Sequence, residues 1–247
     1  MAACKRANDL PAESTGGQEL WDDPVDLSGK TKTIIKLVDD TPTFMKAQCM
    51  HCVAPACVSV CILGAMHVGE LGVVTYDEGL CIGCRYCQIA CPYNVPKFEW
   101  DEPIPRIVKC ELCRHRDEGP ACCEVCPRGA VVFGRRNDLL AEARRRMAEG
   151  PERYVDRIYG EYEGGGTHVL YLSGVPFEEL GLPDLDDRPV AELSETIQHG
   201  LYRGMVAPAF LYGALATVMW RNRAAEHEHA PDAPLAESPP DAGGVDP

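Results

Sequence analysis

The residues that can do chemistry here are cysteines, and their spacing says which chemistry. Cys81 to Pro92 reads Cys-Ile-Gly-Cys-Arg-Tyr-Cys-Gln-Ile-Ala-Cys-Pro, a C-x2-C-x2-C-x3-C-P run. Three thiolates three residues apart let one tight loop cap one face of an iron–sulfur cube. The fourth, before a proline, faces away and ligates the neighbouring cluster in two-cluster proteins. Gly83 lets the backbone wrap closely around an inorganic core. A zinc site needs four ligands on one ion and has no use for a third cysteine in the same loop.

A second block, Cys49-x2-Cys52-x4-Cys57-x3-Cys61, follows the same plan with two extra residues before its third cysteine and Ile62 in place of the proline. Crossing the fourth ligands gives two [4Fe–4S] sites: Cys49, Cys52 and Cys57 with Cys91, and Cys81, Cys84 and Cys87 with Cys61. A third block, C-x2-C-x8-C-x3-C-P, runs through Cys110, Cys113, Cys122 and Cys126. Its x3 spacing selects Cys122 over Cys123, which reads as a small buried residue. Three blocks of a crossed system call for a fourth. Cys4 is then the last member of a first block whose other three cysteines lie upstream of Met1. On that expectation Cys4 completes the site of Cys110, Cys113 and Cys122, and Cys126 belongs to a fourth cluster whose other ligands are upstream.

Other residues in the loops are assigned lesser roles. His51, between two cysteines, reads as a partly exposed loop histidine, with cluster ligand or sulfur-directed donor as the alternatives. Arg85 and Tyr86 read as packing residues that set local charge.

The elements that must position these loops are short. The chain has 247 residues, 14 cysteines (13 of them between Cys49 and Cys126), 45% apolar and only 7% aromatic residues. A modest core, partly supplied by clusters, is expected, and the clustering of cysteines argues for metal over a disulfide scaffold. The net charge of −14 excludes nucleic acid as a partner class, and no apolar leader follows Met1. Strands are predicted at Thr33–Val38, Gly72–Asp77, Gly129–Gly134 and Thr167–Leu172, with a turn at 39–42. A helix with a polar N-cap is predicted over Asn137–Met147, ending at Gly150-Pro151. Its Arg144–Arg146 run reads as a solvated face. Gly164–Gly166 reads as a turn, because no Lys-Ser/Thr follows as a phosphate loop requires. Residues 173–200 are turn-rich and are expected to cross a partner surface. The uncharged run from Gly204 to Trp220, extended by Leu201 and Tyr202, reads as a membrane anchor. Arg221 and Arg223 place the following tail in the cytoplasm by the positive-inside rule. That tail is Pro-, Ala- and acid-rich and reads as disordered, with His227 and His229 of no special role.

The fold class expected is α+β: paired two-cluster ferredoxin-like domains built around [4Fe–4S] clusters, plus one C-terminal transmembrane helix. The divisions are 1–44 (remnant of a first cluster block and linker), 45–98 (two-cluster domain), 99–137 (second ferredoxin-like half), 138–200 (helix and extended arm), 201–222 (anchor) and 223–247 (tail).

The blocks CMHCVAPACVSVC, CIGCRYCQIACPYNVPKFE, KCELC and EVCPRGAVVFG, with SETIQHGLYRGM near the C-terminus, resemble the iron–sulfur electron-transfer subunit of membrane-bound nickel–iron hydrogenase of the hydrogenase-2 type. The wider group contains the corresponding subunits of formate dehydrogenases and dimethyl sulfoxide reductases. The resemblance implies a non-catalytic subunit with four [4Fe–4S] clusters, three of them complete in this chain. It also implies export by a twin-arginine signal and partnership with hydrogenase small and large subunits, a quinone-reactive integral membrane subunit and membrane lipid. The body would lie on the periplasmic side of the inner membrane. The sequence departs from that pattern at its start, where the signal and three cysteines are absent. Two other readings are the same subunit serving a molybdopterin oxidoreductase, and a non-redox zinc- or disulfide-stabilised interaction protein.

Overall fold

Three β-hairpins and three one-turn helices alternate along the first half of the chain, and each helix begins where a cysteine block reaches its third thiol. A computed structural model describes residues 1–13, 26–38, 43–100 and 105–228. Met1–Glu195 form one unit and the chain from Thr196 a second.

The first element, α1 (Ala2–Ala7), carries the buried Cys4. The β-branched run after Thr33 forms β1 (Ile34–Val38), paired antiparallel with β2 (Thr43–Ala47) so that Ile34 faces Ala47. The predicted turn at 39–42 lies outside the described residues. Next come α2 (Ala56–Ser59), the hairpin β3 (Met66–Val68) and β4 (Val74–Tyr76), α3 (Tyr86–Ala90), the hairpin β5 (Lys97–Phe98) and β6 (Ile107–Val108), and α4 (Ala121–Glu124). The helix α5 (Arg136–Glu149) ends at Gly150 as expected, but Arg135 is its N-cap and no side chain caps it; Asn137 lies inside the first turn.

The apolar interior is divided. Met45, Met50, Tyr159, Phe177, Leu180 and Leu182 form one cluster. A second contains Cys49 and Cys110 beside Leu27, Ile34 and Val95. A third sets Cys87 among Met66, Val74, Phe98 and Ile107, with Cys57, Cys61 and Cys81 against it. Leu140, Ala143 and Ile158 seat α5. Cysteines thus form part of the interior of two of these clusters, as a chain poor in aromatics would need.

Several expectations are corrected. Gly129–Gly134 is not a strand: Val132 and Phe133 are exposed, and the amides of Arg128 to Val131 turn toward the Cys126 sulfur instead of a neighbouring strand. Thr167–Leu172 forms isolated bridges only, Cys52 with Thr167 and Tyr159 with Tyr171. Its amides divide between two targets, Thr167 and Tyr171 donating to Gly160 and Tyr159, and His168 and Val169 donating to the carbonyls of His51 and Met50. The segment therefore props the first cysteine loop. Residues 173–191 do not reach outward: Phe177, Leu180 and Leu182 fold back into the unit's own interior. Gly164–Gly166 is a tight turn of positive φ, as expected.

The last helix, α6, runs Glu192–Glu228 with Pro208 inside. It includes the start of the predicted tail, whose remainder, with His229, lies outside the described residues. Among the described residues no helix is long and apolar enough to cross a membrane. The reason is local: the seventeen uncharged residues 204–220 are bracketed by Arg203 and Arg221, so a longer window takes in an arginine.

Tyr159 is the centre of the largest apolar cluster. It is fully buried, tilted on Phe177 at 5.2 Å and edge-on to Tyr93 at 6.5 Å, and its hydroxyl donates to the Pro183 carbonyl at 2.7 Å. Tyr159→Phe should cost about 1 kcal/mol and Tyr159→Ala about 3–5 kcal/mol, read from anaerobic denaturant midpoints.

Candidate iron–sulfur sites

The three cysteine loops share one local construction. In each, the residue two after the first cysteine has left-handed backbone: His51 (φ 47), Gly83 (φ 71) and Leu112 (φ 51). That twist aims its N–H back at the first sulfur. Gly83 donates to Cys81 Sγ and Leu112 to Cys110 Sγ, both at 3.4 Å, and the His51 amide lies near Cys49. Only the middle loop meets the requirement with glycine; a non-glycine residue there stores strain of about 1–3 kcal/mol. The third cysteine of each block, Cys57, Cys87 or Cys122, then enters a one-turn helix. The fourth sits under the turn that follows it: Met66 N–H donates to Cys61 Sγ at 3.4 Å, while Cys91 and Cys126 lie near the backbone amides of Tyr93 to Val95 and of Arg128 to Val131.

Between loops, the thiols come together in fours. Cys52 and Cys57 feel Cys49 and Cys91. Cys87 feels Cys61, Cys81 and Cys84, and these four line one partly open pocket with Val60, Met66 and Ile107. Cys4 feels Cys110, Cys113 and Cys122, and these four line one partly open pocket. Asn8 ties this last group together, its Nδ2 lying 3.7 Å from both Cys4 and Cys113 Sγ. Cys126 stands outside the three groups, near Cys123.

Burial and mutual repulsion push these thiols up: Cys4 and Cys110 to about 11, Cys52 and Cys87 to about 12, and Cys57 higher, with burial the larger cause in each case. Cys122 moves the other way, to about 5, because it accepts a hydrogen bond from Cys123 and lies beside Lys46. Cys123 is half-buried, not buried as expected.

The residues present fit iron–sulfur clusters. All fourteen cysteines are free thiols. Among the described residues no three metal-binding side chains stand close enough to share a single ion. Instead, thiols from separate loops gather in fours, and sulfurs that repel one another at close quarters are what a cluster of cationic iron would neutralise.

His51 differs from its expectation. It is fully buried, its Nδ1 accepts the Val74 N–H at 3.0 Å, and burial holds it neutral by dropping its pKa to about 3. The proton is therefore on Nε2, which is buried without a partner. Arg85 lays its guanidinium over Trp100 at 3.9 Å, and Tyr86 is exposed. Arg145 and Arg146 pair with Glu142 and Arg144 with Glu161, in keeping with a solvated face.

Three supporting residues had no role in the sequence reading. Asn8 joins two thiols. Arg136 donates to the carbonyls of Gly160, Glu161 and Thr167, fixing the prop behind Cys52. Lys109 is buried beside Cys110. One signal was present: Pro-Ala-Cys recurs at Pro55–Cys57 and Pro120–Cys122, and it marks the third cysteine of both blocks independently of spacing.

Residues 41–136 match the family model of the 4Fe-4S dicluster domain. The hydrogenase-2 operon protein HybA of Escherichia coli O157:H7 is 39% identical over 94% of this chain and 83% of its own length. The nitrate-inducible formate dehydrogenase iron-sulfur subunit of Escherichia coli K12 is 31% identical over 85% of this chain and 75% of its own, and the formate dehydrogenase iron-sulfur subunit of Haemophilus influenzae is 32% identical over 85% and 70%. Loops that cage thiols in fours, a dicluster domain across all three blocks and relatives aligned along most of their length converge: the chain belongs to the HybA-like iron–sulfur electron-transfer subunits of oxidoreductase complexes.

Proposed function

We propose that this protein relays electrons between a nickel–iron hydrogenase small subunit and a quinone-reactive integral membrane subunit, through [4Fe–4S] clusters held by its cysteines. The single observation that carries the reading is the grouping of thiols from separate blocks, joined to the family to which the chain belongs. The proposed ligand sets are Cys49, Cys52, Cys57 and Cys91; Cys61, Cys81, Cys84 and Cys87; and Cys4, Cys110, Cys113 and Cys122. Cys126, cradled by four amides as Cys91 is by three, is assigned to a fourth cluster with ligands from outside this chain's sequence.

When bound, the clusters supply one-electron transfer. The protein's contribution is positional and electrostatic. The buried first and third loops exclude water, amides directed at sulfur stabilise thiolate charge, and the props at residues 167–169 hold the first loop. Around the Cys61–Cys87 group, Ile62, Ile82, Tyr86 and Ile89 are exposed and Cys84 is accessible, which supports docking of a redox partner over that site.

The α6 segment is assigned as a membrane anchor. Met205, Phe210, Leu211, Leu215, Val218, Met219 and Trp220 are exposed along it, and seventeen residues span about 25 Å, near the ~30 Å of a hydrocarbon core if the flanking arginines snorkel. The body would then lie on the periplasmic side of the inner membrane, with the tail in the cytoplasm.

Anaerobically purified protein should contain about 12 iron atoms per chain from three complete clusters, with matching acid-labile sulfide; material without either refutes the reading. Cys91→Ser should perturb the cluster of the Cys49 loop in electron paramagnetic resonance spectra, and a change confined to the Cys81 cluster refutes the crossed ligation. In the whole complex, removing one ligand should lower hydrogen-to-quinone flow while hydrogen oxidation with an artificial dye persists; equal loss of both refutes the relay. Deleting the chain after Glu195 should move the protein from the membrane to the soluble fraction with its iron retained.

A further inference from the structure

Lys109 is 2% exposed, which is rare for a lysine and costly without a compensating anion. Its Nζ donates to two neutral carbonyls, Val74 at 2.5 Å and Cys110 at 3.2 Å, and among the described residues it forms no ion pair. The placement is specific. Val74 is bracketed on both sides of its backbone, with its N–H on His51 and its carbonyl on Lys109, so strand β4 fixes the ammonium against the first cysteine loop. Cys49, Cys57 and Cys110 all feel Lys109, and it favours their thiolate forms. Around Cys87 the acting charges are Cys61, Cys81 and Cys84, with no cation among them. The nearby cation, Arg85, is half-buried and stacked over the exposed Trp100, where water screens it.

We propose that Lys109 is a buried counter-charge to the cluster of Cys49, Cys52, Cys57 and Cys91, holding its reduction potential above that of the cluster of Cys61, Cys81, Cys84 and Cys87. Reduction adds one electron and one negative charge to a cluster already caged by four thiolates. A fixed ammonium in a water-poor site stabilises the reduced form more than the oxidised one. Lys109 acts through that charge as a positioning residue and is not itself a ligand. The inference rests on the cluster assignment above.

The test is a potentiometric titration of the full chain followed by electron paramagnetic resonance, with the Cys49-loop signal identified by its loss or change in Cys57→Ser. Lys109→Met and Lys109→Gln should keep native iron and lower the potential of that signal by a factor of ten or more in the equilibrium constant for reduction, about 59 mV for one electron, while the signal of the Cys81 loop stays in place. Lys109→Arg should stay near the native potential. Native potentials in an iron-replete Lys109→Gln protein would overturn the proposal. So would iron loss in Lys109→Gln with the remaining signals unshifted, which is the mark of a purely structural role. Wild-type protein with no cluster signal would sink the cluster assignment itself and not this inference alone.

Discussion

Mutual repulsion among buried thiolates is the constraint around which this structure is arranged. Each group gathers four sulfurs, and burial with the neighbouring sulfurs pushes several of them far above an ordinary thiol. The fold opposes that cost with small devices at each sulfur. Amides from left-handed residues reach the first cysteine, amides from the following turn reach the fourth, and Lys46 and Lys109 add positive charge near two of the groups. None of these neutralises four anions, so the arrangement is complete only with iron among the sulfurs.

That dependence explains the slight secondary structure. The hairpins are two to five residues per strand and three of the helices are a single turn. Apolar cohesion is shared among four small clusters, two of which include cysteines. A chain of this kind gains order from crosslinking of distant segments more than from a large interior, as small metal-dependent domains do.

The cysteine sites were the most legible part of the sequence because their signal is covalent geometry in one dimension: spacing fixes which thiols a loop can present together. The strand after Thr33 and the helix ending at Gly150 were legible from local pattern. What escaped depended on contacts between remote segments. Gly129–Gly134 carries the composition of a strand, yet its amides are taken by Cys126. Thr167–Leu172 looks like a strand and is one half of two different bridges. His51 looked like a surface loop residue because nothing near it in sequence reveals that Val74 and the 167–169 segment close over it. Asn8, Lys109 and Arg136 are polar residues of ordinary appearance whose meaning is set by partners dozens of positions away.

The interleaving of the thiol groups along the chain also imposes a timetable on a protein that emerges from the ribosome N-terminus first. The group spanning Cys61 to Cys87 has all its members synthesised first, that spanning Cys49 to Cys91 follows four residues later, and Cys4 waits until Cys122 has been made. Of the cysteines in these three groups, Cys4 is therefore the one that must stay reduced and unclaimed the longest. Because closure of so long a loop is slow and leaves surfaces open to misassociation, α1 is the element with most to gain from a chaperone during biogenesis.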